Sequence, residues 1–320
     1  MSLKRILTSF IILALFLVLF IVLKWSYSSS TTFPILADTN SNLPSTITVN
    51  IEKSGEVLKF EFVRIPPGSL KMGRNKDVFA YLPFVDVQDG FAHPSFHATI
   101  TKGYYIGKDN INTTQFSVFL NTLSKEERYQ YANLETDNLY LQYKNEENIK
   151  IIGNDNEPVK TVSWLGSVAF CEWLSTISTM KFYLPTEAEW ELAARGNGNI
   201  YDSVYNSFLS KQGSFSPPGP VTPNGLQGLA TGSLGNWVSD YAGYFTSEPK
   251  TDPKGANNAI EDNCHILKRP MHSIAGRSSN YLARKDNGIY GFRVVLNEDS
   301  VSKFIEHPEL LPKNISIQVQ

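Results

Sequence analysis

The chain has 320 residues and a formal net charge of −2, with 42% hydrophobic and 12% aromatic residues. That length holds one large domain or two small ones. The near-neutral charge gives no electrostatic basis for a nucleic-acid partner, and the aromatic content excludes disorder for the bulk of the chain.

The first predicted element is the apolar run Ile6–Leu23. As a helix it would span roughly 27 Å, close to the thickness of a bilayer core. Residues 1–25 are therefore expected to be a signal anchor or a signal peptide, and the length of the run favours the anchor. Lys4 and Arg5 before it favour a cytoplasmic N-terminus and an extracytoplasmic main domain. Residues 26–47, rich in Ser, Thr, Asn and Pro, read as a linker.

Thr48–Ile51 and Val57–Ile65 alternate in β-branched and aromatic residues around Ser54-Gly55, the pattern of a hairpin. His97–Ile106 reads as one short strand. Asn112–Leu123 reads as a helix with Phe116, Phe119, Leu120 and Leu123 on one face. Residues 124–157 are polar and read as a surface excursion. Helices follow at Trp164–Ile177 and Glu187–Arg195. The second carries its own start and stop. Thr186 and Glu189 form a capping box, and Arg195-Gly196 closes the helix. Residues 197–290 are rich in Gly, Pro, Asn and Ser and read as long loops of the kind that carry function. Residues 297–320 read as a loose polar tail. The two cysteines are Cys171 and Cys264; Cys171 suits a buried position on its helix, which argues against a disulfide between them.

Five segments in order carry a resemblance: Ile65–Gly73 (IPPGSLKMG), Gly103–Phe116 (GYYIGKDNINTTQF), Pro158–Ser175 (PVKTVSWLGSVAFCEWLS), Phe182–Gly196 (FYLPTEAEWELAARG) and Gly291–Val295 (GFRVV). Together they resemble the formylglycine-generating-enzyme, or sulfatase-modifying-factor, family. The resemblance implies an α+β, irregular, loop-rich fold similar to C-type lectins over residues 48–296, and the apolar run Ile6–Leu23 adds one N-terminal transmembrane helix before it. It does not by itself imply activity, because function lives in the site.

In that family a cysteine pair between the RGGS motif and the closing GFR binds copper, and thiolates are the ligands that select Cu(I). The matching stretch here, Lys268–Arg293, contains no cysteine, and Cys264 stands alone just upstream. Formylglycine formation is therefore not expected. The segment Gly225–Tyr241 (GLQGLATGSLGNWVSDY) departs as well, with Gly235 where the family has Trp and Asn236 where it has Glu. Fewer oxygen donors weaken the case for calcium at this loop, although Asp240 and backbone carbonyls remain. Arg269, Pro270, Met271 and His272 stand near the place of the RGGS motif.

Other chemistries find little support. His93 and His97 are separated by Pro94, which breaks a helical metal spacing, and Cys264, His265 and His272 match no closed zinc pattern. Trp164, Trp173 and Trp190 lie in helix motifs and read as core. Trp237 and Tyr241 read as a ligand surface, and Arg277, Arg284 and Lys285 form a basic cluster suited to an acidic group. The ligand-binding candidates are Asn236, Trp237, Asp240, Tyr241, His272, Arg277 and Arg284, with no catalytic or metal residue and no cofactor beyond the weak case for calcium. The sequence points to a membrane-tethered binding or scaffold module for an exported peptide, a glycan or an envelope protein. The alternative is an enzyme of the same family acting on an exported peptide through other catalytic groups.

Overall fold

Alternation in the first two strands sets the frame of the molecule. In the computed structural model, the described residues are 36–73, 94–131, 141–145, 148–151, 157–160, 162–195, 222, 224–227, 234–255, 264–268, 277–280 and 290–320. β1 (Thr46–Lys53) and β2 (Glu56–Ile65) form the expected antiparallel hairpin. Ser54 and Gly55 turn it with φ of 54° and 82°, the positive pair that a tight two-residue hairpin needs. Ile47, Val49 and Ile51 pack inward with Leu58, Phe60 and Phe62. The hairpin belongs to a six-stranded sheet ordered β15-β1-β2-β5-β14-β8, with β5 at Tyr104–Gly107, β8 at Phe182–Tyr183, β14 at Val295–Asn297 and β15 at Ile315–Val319.

Three expectations are corrected in this sheet. Residues 297–320 are not a loose tail. Asn297 caps helix α5 (Glu298–Glu306), which buries Val301 and Phe304, and β15 then pairs antiparallel with β1. An edge strand held mainly by main-chain bonds needs few apolar side chains, so its hydropathy resembles a tail. The linker also ends early. Asp38 accepts two bonds from Arg64, at 2.8 and 2.6 Å, and Asn40 Nδ2 donates to Glu298 at 3.0 Å. Residues Leu36–Gln320 accordingly group as one unit.

Third, His97–Ile106 is two strands in two sheets. β4 (Phe96–Ile100) lies between β3 (Gly68–Met72) and β10 (Lys250–Thr251) in a three-stranded sheet, while β5 belongs to the first sheet. The chain turns at Gly103, where a Cβ would lie 2.6 Å from Glu298 Oε1. Asp252 pins the same corner by accepting from Thr101 N and Oγ1 at 2.8 and 2.6 Å.

The residues read as loops between 225 and 290 also contain strands. β9 (Gly235–Tyr241), β11 (His265–Lys268), β12 (Arg277–Asn280) and β13 (Tyr290–Phe292) form a sheet ordered β12-β11-β9-β13. Within the polar stretch 124–157 lie helix α2 (Lys125–Tyr131) and the pair β6 (Leu141–Asn145) and β7 (Asn148–Ile151).

The remaining helices match their local signals. Asn112 and Gln115 form a capping box on α1 (Thr113–Leu120). Ser163 caps α3 (Trp164–Ser178). Thr186 and Glu189 exchange the two expected bonds at the start of α4 (Glu187–Arg195), at 3.1 and 2.7 Å.

Buried side chains fall into two clusters. The larger joins the first sheet to α1 and α3 through Phe62, Phe116, Phe170 and Phe292. The smaller joins α4 to the other sheets through Trp190, Val238 and Ile266. Cys171 lies in the larger and Cys264 in the smaller, and no disulfide joins them. Among the described residues no helix is long and apolar enough to cross a membrane, and the run Ile6–Leu23 lies outside them.

Candidate functional site

Two of the sequence-derived candidates, Asn236 and Asp240, lie where β9 packs on α4. Lys268 ends β11 and pairs with Asn236 of β9. Its ammonium lies 2.8 Å from Glu191 Oε1 and 3.2 Å from Glu187 Oε1, while Arg195 donates to Glu191 Oε2 at 2.9 Å. Lys268, Glu187 and Glu191 are all buried. Glu187, Glu191 and Arg195 follow at i, i+4 and i+8, which places them along one stripe of α4. Two carboxylates thus meet two cations away from water, and the set is close to neutral. Lys268 Nζ also lies 5.5 Å from the Trp190 ring centroid.

Sequence reasoning missed this network, and the polar candidates of β9 lie beside it against the same helix. Asn236 is buried, and its Oδ1 accepts from Trp190 Nε1 at 3.4 Å. Asp240 is buried, and its Oδ2 accepts from the Glu187 backbone N at 2.8 Å and from Ser239 Oγ at 3.2 Å. Asp240 therefore acts as a second cap on α4, where negative charge suits the helix dipole. Asn236 and Asp240 are thus engaged inside the protein, and Asp240 is the side-chain oxygen donor that kept calcium open.

The reading of Trp237 as a ligand surface is corrected. Trp237 is fully buried in the larger cluster and donates from Nε1 to the Val162 carbonyl at 2.7 Å. β9 is covered on both faces, so the alternation that would separate an inward ring from an outward one is absent. Its Gly235 has a local cause, since a Cβ there would lie 2.8 Å from Leu267 Cδ2.

Tyr241, at the end of β9, reaches the surface with 47% exposure. Its ring lies 4.4 Å from that of His265, which stacks at 3.4 Å and 13° on Trp164. Trp164 was expected in the core; it is half-buried and donates from Nε1 to the Val238 carbonyl at 2.9 Å. His265 itself is buried, its Nδ1 has no hydrogen-bond partner, and burial pushes its pKa down to about 4. The imidazole is therefore neutral near pH 7. No sequence spacing announces this trio, because Trp164 stands about a hundred residues from His265.

Arg277 contributes its backbone to β12, opposite Lys268. His272 and Arg284 lie outside the described residues. Arg293 of the GFR motif is buried and donates to the carbonyls of Gly107, Lys108 and Gln227, tying the end of β5 to residues 224–227. Burial lowers its pKa to about 10.

The residues present do not fit a two-thiolate copper centre. Cys171 and Cys264 occupy different clusters, and burial raises the Cys171 thiol well above its usual range, whereas a soft-metal ligand must be a thiolate. Among the described residues no group of three His, Cys, Asp or Glu side chains is placed to hold a metal ion.

The profile of the Sulfatase-modifying factor enzyme 1-like domain (FGE-sulfatase) matches residues 50–298. The formylglycine-generating enzyme of Streptomyces coelicolor is 29% identical over 185 residues, which cover 48% of this chain and 56% of that protein. The serine/threonine-protein kinase pkn1 of Chlamydia pneumoniae is 24% identical over 218 residues, which cover 63% of this chain and 34% of the kinase. The chain thus spans about half of the first relative and a third of the second. Among solved structures, PvdO from Pseudomonas aeruginosa superposes with a TM-score of 0.47 at 18% identity, covering 74% of this chain and 94% of that one.

Proposed function

The chain belongs to the Sulfatase-modifying factor enzyme 1-like domain family, and from that premise we propose that it is a non-catalytic binding module, tethered by its N-terminal apolar run with the domain on the extracytoplasmic side. The observation that carries this reading is the placement of the two cysteines. They sit in separate cores, and the stretch Lys268–Arg293 supplies no third. The polar groups of β9 are engaged inside the protein, Asp240 in capping α4 and Asn236 with the Trp190 indole. Among the described residues, the surface of Tyr241 with the half-buried Trp164 stays open, rings that suit a sugar or peptide group. The partner is an exported peptide, a glycan or an envelope protein.

One observation favours an enzyme instead, the neutral imidazole of His265, whose Nδ1 has no hydrogen-bond partner. Its burial between Trp164 and Tyr241 keeps a substrate away from it, so the binding reading is preferred.

Labelled full-length protein in detergent micelles, applied to peptide and glycan arrays, tests the proposal. A restricted ligand class is expected, and Tyr241→Ser should weaken its binding at least about tenfold. Binding to nothing, or binding unchanged by the substitution, would remove the reading.

A further inference from the structure

A second open feature lies on β2 and is independent of the Tyr241 surface. The two neighbours of β2 cover it unequally. β1 pairs with it from Glu56 to Val63, but β5 pairs with it only from Phe62 to Ile65. On the β5 side, residues 56–61 border a cleft of about 570 Å³ whose lining also includes Asp109, Asn110, Asn112 and Gln115.

The ladder fixes which main-chain groups face that cleft. Gln320 N donates to Thr46 O, and Glu52 N donates to Asn314 O, so the even-numbered residues of β1 turn toward β15. The odd-numbered ones turn toward β2, where the pairs Val49↔Phe60 and Ile51↔Leu58 make the even-numbered residues of β2 face back. The odd-numbered residues of β2 therefore face the cleft. Two of their carbonyls are taken: Lys108 N donates to Glu61 O at 2.8 Å, and Gln115 Nε2 donates to Lys59 O at 2.7 Å. The Val57 N–H and C=O and the Lys59 N–H remain, and no strand among the described residues lies beside them. Val57 is 61% exposed. Among the cleft-lining residues, Asn110 is 8% exposed, and its Oδ1 has no hydrogen-bond partner.

We propose that this cleft binds an extended peptide, which adds as a short strand to β2 at Val57–Lys59 and supplies a donor to Asn110. An alternating row of donors and acceptors on a strand edge is matched by another extended main chain. A cavity of this size lies within the range of peptide-sized ligand sites. Glu61 pairs with both Lys59 and Lys108, so this part of the charged lining is already satisfied. Recognition at Val57–Lys59 runs through the main chain.

The test uses heptapeptides selected from a random phage-displayed library against the full-length protein in detergent micelles, with each selected peptide then titrated in synthetic form. Without peptide, amide exchange should alternate along the edge, fast at Val57 and Lys59 and slow at Leu58 and Phe60. With peptide bound, Val57 and Lys59 should slow at least about tenfold. Val57→Pro removes a cleft-facing donor without removing a bond to β1, and should weaken binding at least about tenfold. Val57→Ala keeps the main chain and should change binding less than about twofold. Asn110→Leu, which leaves β2 untouched, should also weaken binding. The proposal is overturned if no peptide is selected, if no selected peptide protects Val57 and Lys59, or if Val57→Pro and Asn110→Leu bind as the parent does. A peptide that protects only amides around Tyr241 would support the binding surface there and overturn this one.

Discussion

Two of the ion networks among the described residues differ in access to water. In the first, Arg64 bridges Asp38 and Glu298, joining the entry to the domain to its last helix. Asp38 is 24% exposed there, so solvent shares the load. In the second, Lys268, Glu187 and Glu191 are wholly buried between β11 and α4. The first network joins residue 38 to the start of α5 through β2. The second ties β11 to α4 out of contact with water. A charge pair open to water is replaceable, while a buried one leaves its partner stranded if broken.

The largest effect should come from the dry network. Lys268→Met leaves Glu187 and Glu191 with a counter-charge deficit, and chemical denaturation should show a loss of about 3–5 kcal/mol. Adding Glu187→Gln and Glu191→Gln to that variant should restore much of the loss, because the stranded charge is then gone.

Next is the pH response of the neighbouring His265. Its pKa falls from 6.5 unfolded to about 4 folded. The unfolded state binds the proton first, so stability is full above pH 6.5 and declines as pH drops toward 4. The limiting slope is about 1.4 kcal/mol per pH unit, and His265→Phe should flatten it.

The wetter network should respond less. Asp38→Asn is expected to lose about 1 kcal/mol by denaturation, since Arg64 keeps Glu298. The Arg64 hydrogen bonds hold the Asp38 carboxyl below its ordinary value of 3.8. Its stabilisation is therefore present above that value and is lost as pH falls below it. The smallest effect belongs to Tyr241→Ser, which should change stability by less than about 0.5 kcal/mol while removing ligand binding.

Elements with local signals were legible in the sequence. The Ser54-Gly55 turn, the Thr186/Glu189 capping box and the apolar face of α1 each lie within a few residues, where periodicity and caps can be read. The strand break at Gly103 was not legible, because its cause is the distant carboxylate of Glu298. β15 was missed because an edge strand needs little hydrophobicity. At the candidate site, the residue types were read and their orientation was not. Trp237 and Tyr241 looked alike as aromatic candidates four residues apart, yet one is sealed in the core and the other reaches the surface. The stripe of Glu187, Glu191 and Arg195 was visible in principle, but only Lys268, far along the chain, shows that this stripe faces inward.

The most direct measurement is turnover. Full-length protein supplied with copper and oxygen is incubated with a peptide bearing the cysteine motif of a sulfatase, and the peptide is followed by mass spectrometry. The account predicts that the cysteine is recovered unchanged at every time point. Formation of the aldehyde product, at a rate that falls when Cys264→Ser or Cys171→Ser is introduced, would contradict it.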